Sequence, residues 1–232
     1  MTEETLDQTT TRPGTALATN DIYNYAADFL EQISQPSTLI STKGKRFKLP
    51  SGESSPGPFN CVVIDFVNYN AYYANAYDPD DPQPPTCWAI HPLKTSLAPD
   101  PDQVQDAQND TCAGCDQSVW KKNERGKPFK GCRNQFRLAL INPDATSESE
   151  VYLINVSPTA YGNWSAFVTK CREQGFHYRQ IICQMDWDPN KQQTLTFKIL
   201  RKHELEPELI HTLLSRSTEN RVLYRSPDNS RS

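Results

Sequence analysis

The sequence predicts a mainly β domain flanked by helices, and three observations carry that expectation. Runs rich in β-branched and aromatic residues recur along the chain, the strongest being Phe59-Asn-Cys-Val-Val-Ile-Asp-Phe-Val67. Helical periodicity is confined to a few short segments. Between two of the strand runs lies a stretch with neither pattern, from Cys87 to Cys132, which reads as an insertion.

At 232 residues, with 36% apolar residues and 18 prolines, the chain fits one domain with long insertions and polar ends. Residues 1–19 lack periodicity and are expected to be disordered. The expected domain then covers 20–216, with a polar tail over 217–232. Met1-Thr-Glu-Glu-Thr-Leu-Asp is no export signal, and no run reaches the length of a membrane span, so the expectation is a cytoplasmic protein with no membrane partner.

Taken in order, Asn20 or Asp21 can cap a helix whose apolar stripe is Ile22, Tyr25, Ala26, Phe29, Leu30 and Ile33, stopped before Pro36. Thr38–Thr42 and Lys45–Leu49 predict a strand or hairpin around Gly44. After the strand over 59–67 come four tyrosines in ten residues, Tyr69, Tyr72, Tyr73 and Tyr77, in what reads as an exposed loop. An acidic proline-rich loop then leads into Cys87-Trp-Ala-Ile-His-Pro92. Gln135–Ile141 and Val151–Val156 predict strands. Tyr161–Gln174 predicts a helix with Trp164, Phe167, Val168 and Cys171 on one face, ended by Gly175. Arg179–Trp187 and Thr194–Leu200 predict a hairpin, and Pro207–Leu214 a last short helix.

That order, with a helix between the third and fourth strands of a small curled barrel, is the pattern of a five-stranded OB-fold-like barrel. The segment over about 87–132 would be inserted between its second and third strands. A generic mixed α+β sheet is the alternative.

Seven cysteines without an export signal fit a reducing compartment better than a disulfide framework. Cys61, Cys171 and Cys183 fall in apolar patterns and read as core. Cys87, Cys112, Cys115 and Cys132 have the spacing C-x24-C-x2-C-x16-C, with Gly114 inside the knuckle free to take a positive φ. Four thiolates make a closed tetrahedral site, so one structural zinc ion is expected. His91 is a possible substitute ligand. A redox role for the C-x2-C pair is disfavoured, because such motifs open a helix after a strand.

The formal net charge of −4 would fall to about −6 with zinc on four thiolates, so a basic character can only be local. Lys43, Lys45, Arg46 and Lys48 form one basic cluster around Phe47. Lys121, Lys122, Arg125, Lys127, Lys130, Arg133 and Arg137 form a second, with Trp120 and Phe129 beside Glu124 as its one acid. Acids are gathered elsewhere, in 78–81 and at Asp100, Asp102, Asp106, Asp110 and Asp116. A basic groove with aromatic faces is what a sequence-tolerant single-strand binder needs. The candidate contacts are the two clusters, Tyr69, Tyr72, Tyr73, Tyr77 and Trp120. Strand alternation points Phe47 away from its basic neighbours and counts against it as a stacker.

The run Val63-Ile-Asp-Phe-Val-Asn-Tyr-Asn-Ala-Tyr-Tyr, Tyr77-Asp-Pro, Pro85-Thr-Cys87-Trp, the Cys112-x2-Cys115 knuckle and the Gly-Lys-rich approach to Cys132 resemble tailed-bacteriophage OB-fold single-stranded-DNA-binding proteins. The resemblance covers about residues 59–200. It implies a protein that coats single-stranded DNA with little sequence preference during phage replication or recombination, in the host cytoplasm. The zinc segment would be a structural insertion, and phage replication or recombination proteins would be partners. The C-terminus, Arg221-Val-Leu-Tyr-Arg-Ser-Pro-Asp-Asn-Ser-Arg-Ser232, is not an acidic recruitment tail.

An enzyme is not expected. His91, His177, His203 and His211 lie in unrelated contexts, and no P-loop or zinc-hydrolase signature occurs. The alternatives are a metal-dependent nuclease, which would need clustered carboxylates beyond Asp65, and a zinc-stabilised protein-interaction factor acting on host transcription or replication.

Overall fold

The computed structural model describes residues 38–76, 78 and 83–219. The expected disorder over 1–19, the expected helix over 20–33, Tyr77 and the chain beyond 219 lie outside them. The fold is that of the unit Ser37–Ser232.

One strand organises it. β4 (Phe59–Tyr72) is 14 residues long and pairs antiparallel along one edge with β8 (Cys132–Ile141), from Val62↔Ile141 to Tyr72↔Cys132. Its other edge is shared. The beginning takes β10 (Ile181–Trp187) and the end takes β5 (Cys87–His91). Outward from these, β9 (Tyr152–Val156) pairs with β8, β11 (Leu195–Lys202) pairs with β10, and the short β1 (Leu39–Ile40) lies parallel to β9. The sheet order is β1-β9-β8-β4-β10-β11, curled into a half-barrel with β5 beside β4. Two helices accompany it, α1 (Tyr161–Glu173) and α2 (Pro207–Glu219).

Both faces of β4 are covered, which is why Cys61–Ile64 is a continuous apolar run and does not alternate with polar residues. Cys61 and Val63 pack in the core that holds Trp164, Phe167 and Cys171 of α1. Val62, Ile64 and Val67 pack in a second core with Ile210 and Leu213 of α2. Ile64 and Val67 share a face although three residues apart, because the pairing with β8 shifts between Val63 and Asp65. Arg179 secures that bulge: its Nε donates to the Ile64 carbonyl, and its guanidinium lies 3.4 Å from Asp65 Oδ1. Asp65 is thereby committed to structure.

The expected hairpin around Gly44 is present. Ser41 and Lys48 exchange backbone hydrogen bonds of 3.0 and 2.9 Å across it. It leads into β2 (Phe47–Lys48), paired with β3 (Ser54–Ser55). Phe47 is fully buried and stacks at 5.2 Å on both Phe59 and Trp187. Cys61, Cys171 and Cys183 are core residues, as their apolar settings suggested.

Two expectations need correction. β4 does not stop at Val67 but runs to Tyr72, so Tyr69 and Tyr72 belong to a strand and not to an exposed loop. The segment over 87–132 is not wholly an insertion: its first residues, Cys87–His91, are β5 of the sheet, paired with β4, and the chain leaves the sheet only after them, before β8.

Candidate nucleic-acid and metal interface

The far end of β4 carries the chemistry. Tyr72 is flanked in register by Cys87 on one side and Cys132 on the other, so these two cysteines open β5 and β8 at the same level of the sheet. The knuckle arrives from the insertion. Cys112 N–H donates to the Leu97 carbonyl at 2.9 Å, and Gly114 takes φ 80° inside the turn. The Cys115 carbonyl accepts from Ser118 N–H at 2.8 Å. At Gly131, beside Cys132, a Cβ would lie 2.6 Å from Gln117 Oε1 and 3.3 Å from the Tyr72 ring, so a larger residue would have to displace the Gln117 side chain. Tyr69, Ala71, Cys87, Trp88 and Val104 form a small core of their own beneath this segment.

All four cysteines line one cavity of about 10 Å³, close to the room of a single water-sized sphere. Burial pushes the thiols of Cys87 and Cys112 up and that of Cys132 to about 11, and the charge of the neighbouring cysteines adds to each shift. Acting against this, polar groups favour the thiolates: the Gln108 backbone at Cys87, the Asn70 side chain at Cys112 and the Ser118 hydroxyl at Cys132. Ser118 Oγ is buried with no partner while Cys132 is a neutral thiol, and a thiolate there would accept its proton. Among the described residues, no three His, Cys, Asp or Glu groups stand at metal-holding spacing, so a tetrahedral ion requires the sulfurs to close inward. The donor set and its orphaned hydroxyl suit a thiolate-bound ion; the spacing suits four protonated thiols. His91 does not line this cavity, and its Nδ1 lies 3.0 Å from the Leu93 N–H that it accepts from.

Beyond the knuckle, β6 (Lys121–Lys122) and β7 (Pro128–Phe129) form a hairpin, paired Lys121↔Phe129 and Lys122↔Pro128. Asn123 builds its turn, accepting from Arg125 N–H at 3.0 Å and Lys127 N–H at 2.9 Å. Lys121, Lys122, Arg125 and Lys127 are all exposed on it. Trp120, at its base, is 69% exposed, the most open large apolar side chain among the described residues.

An open groove of about 1020 Å³ runs between this insertion and the start of β8. Trp120, Lys130 and Arg133 line it, with Lys94 from the segment after β5, and no Asp or Glu does. Lys94 went unnoticed in the sequence because a lone lysine in Pro-Leu-Lys-Thr has no pattern. Cys112, Cys115 and Cys132 line the groove as well as the small cavity, so the two sites share a wall.

The structure sorts the other candidates. Tyr69 is 2% exposed and Arg137 3%, with the guanidinium 4.7 Å over the Tyr69 ring and its Nε 2.9 Å from Asn155 Oδ1. Neither can reach a base or a phosphate, and both are withdrawn as contacts. Tyr72 and Tyr73 are half-buried, Tyr73 beneath Arg133 at 5.2 Å. Lys43, Arg46 and Lys48 are exposed and Lys45 half-buried, but none of them lines the groove. Arg46 is engaged by Ser54, at 2.9 Å to its hydroxyl and 3.1 Å to its carbonyl. The sequence also gave no hint of Asn68 and Asn70, buried polar residues that look like loop composition. Asn68 Nδ2 donates to the Pro92 carbonyl at 2.7 Å, and Asn70 reaches Cys112.

No family model, curated protein or solved structure matches the chain. Among the described residues no helix is long and apolar enough to cross a membrane.

Proposed function

We propose that this chain is a zinc-stabilised, OB-type binding module for single-stranded nucleic acid, serving phage DNA replication or recombination. The observation that carries the reading is the acid-free groove with Trp120, Lys94, Lys130 and Arg133 on its walls and the cationic β6–β7 hairpin beside it. Cations for phosphates next to an exposed aromatic face for bases are the two components of single-strand binding.

The strand plan supports the OB part. A long first strand, β4, pairs with the second (β8) and the fourth (β10), α1 falls between the third (β9) and the fourth, and β11 is the fifth. OB folds bind oligonucleotides across strands 2–3 and the loops joining strands 1–2 and 4–5. Most of the groove is lined from that set (the insertion between β4 and β8, the start of β8, and Gln193 in the β10–β11 turn), with Asn70 of β4 and Ser157 and Pro158 after β9 completing it. Cys87, Cys112, Cys115 and Cys132 would hold the zinc ion, which supplies a rigid closed tetrahedral centre and no open position for water. The phage setting follows from the resemblance over residues 59–200.

A gel shift with single- and double-stranded oligonucleotides, with and without divalent metal, tests this. Single strands should be retained without turnover. Log affinity should fall with log salt by roughly 0.7 for each phosphate contact, and neutralising Lys121, Lys122 and Lys130 should flatten that slope. Equal competition by duplex, or cleavage of the strand, would remove the proposal.

A further inference from the structure

We propose that Cys112 is an oxidation site in the groove wall, and that its conversion to a Cys112–Cys115 disulfide by peroxide shuts the groove to single strands. This shut-off presupposes the single-strand and zinc readings above and adds their regulation.

Six of the seven cysteines are buried, and Cys112 alone is partly open. It lines the groove, where Lys94, Lys130 and Arg133 stand on the walls with no Asp or Glu among them. A partly exposed thiol in electropositive surroundings is the reactive kind, whereas a sealed one is inert. Cys61, Cys171 and Cys183 are sealed in the core. Cys115 shares the groove wall and the turn that Gly114 makes at φ 80°. An open thiol with a second one poised to resolve it is the arrangement of an oxidant-sensing pair. This is not the exchange chemistry of a C-x2-C motif that opens a long helix, because Cys115 leads only into a short 3₁₀ turn, Asp116–Ser118.

Burial pushes the free Cys112 thiol up, with the Asn70 side chain acting against it. Bound zinc supplies the thiolate form of the sulfurs that hold it. The Cys112 thiolate attacks one oxygen of hydrogen peroxide: an S–O bond forms, the O–O bond breaks, and the leaving hydroxide takes a proton to become water. The Cys115 thiolate then attacks the sulfenic sulfur, so that the S–S bond forms, the S–O bond breaks, and a second hydroxide leaves as water. Two thiolates, two protons and one peroxide thus give one disulfide and two waters. The disulfide takes the knuckle out of the cysteine centre. Cys87 and Cys132 open β5 and β8 on either side of Tyr72, and the paired knuckle no longer ties the insertion to them. Trp120 and Lys130 lie on the chain between Cys115 and Cys132, so they lose the anchor that sets them on the groove wall. Conversely, a single strand in the groove covers Cys112.

The test doses the full reduced chain with hydrogen peroxide, caps the remaining thiols with N-ethylmaleimide at intervals, and maps them by peptide mass. Cys112 and Cys115 should be the first to escape capping, joined as a disulfide, before Cys61, Cys171 and Cys183. Oligo-dT affinity of the same samples should fall about tenfold or more, the scale of a lost stacking base, and dithiothreitol with zinc should restore it. Restoration separates the disulfide from irreversible damage to Trp120. Saturating oligo-dT added before the peroxide should slow the loss of Cys112 severalfold. Oxidation that begins at a cysteine outside the pair, a mapped Cys112–Cys115 disulfide that leaves affinity unchanged, or oxidation indifferent to bound oligo-dT overturns the proposal while leaving single-strand binding in place. A reduced chain that binds no oligo-dT overturns the single-strand reading, and the shut-off with it.

Discussion

Two aromatic residues placed in basic sequence surroundings illustrate how burial divides their work. Phe47 sits between Arg46 and Lys48 yet is sealed in the core, while Trp120 precedes Lys121-Lys122 and stands open to solvent. Phe47→Ala should cost about 3–5 kcal/mol of stability, since it empties a stack with Phe59 and Trp187, and should leave the folded fraction's affinity for oligo-dT unchanged. Trp120→Ala should leave denaturant unfolding where it was and cost about 1–3 kcal/mol in oligo-dT binding. Paired urea and anisotropy titrations check both, and a stability loss on truncating Trp120 would make it a packing residue of the insertion. Tyr69 belongs with Phe47. Its ring is closed off beneath Arg137, and a buried cation over an aromatic face stabilises more than an exposed one.

The insertion has little apolar support of its own, so under the zinc proposal its order should depend on the cysteine centre. Its own small core holds few side chains, while the sheet is packed on both faces by separate clusters. Metal analysis of the purified chain should find about one zinc per molecule. Chelation should expose residues 93–131 to protease while β4, β8 and β10 keep their amide protection. Metal-free protein of unchanged protease resistance would count against a structural ion. At this scale most of the chain was legible beforehand. β9, α1, β10 and β11 lie within two residues of where the sequence places them, because α1 buries Trp164, Phe167 and Cys171 at helical spacing and the strands are short apolar runs bounded by polar turns. The end of β4 was not legible. Asn68 and Asn70 interrupt its apolar run, and their burial is explained only by partners distant in sequence, Pro92 and Cys112. The four cysteines could be picked out by spacing alone. The groove could not, because Lys94, Asn134 and Gln193 come together from three separate segments.

For the whole molecule, β4 has a consequence for the order of synthesis. Its starting half completes its hydrogen bonding with β10, and Gln184 meets Asn60 across 124 residues of chain. A ribosome delivering the N-terminus first releases the most apolar strand of the protein long before its neighbour exists. In that interval Phe59–Val62 presents an unpaired edge of the kind that recruits other chains. A nascent chain halted at residue 175 should therefore be held by chaperones or collect in the insoluble fraction, whereas one extended through residue 205 should partition as soluble protein. Fractionating stalled translation products by length would show the step, and a smooth rise in solubility with length would contradict it. The hairpin of β10 and β11 thus serves the newborn chain as a clasp: until it arrives, the strand on which both cores are built remains a hazard to its neighbours on the polysome.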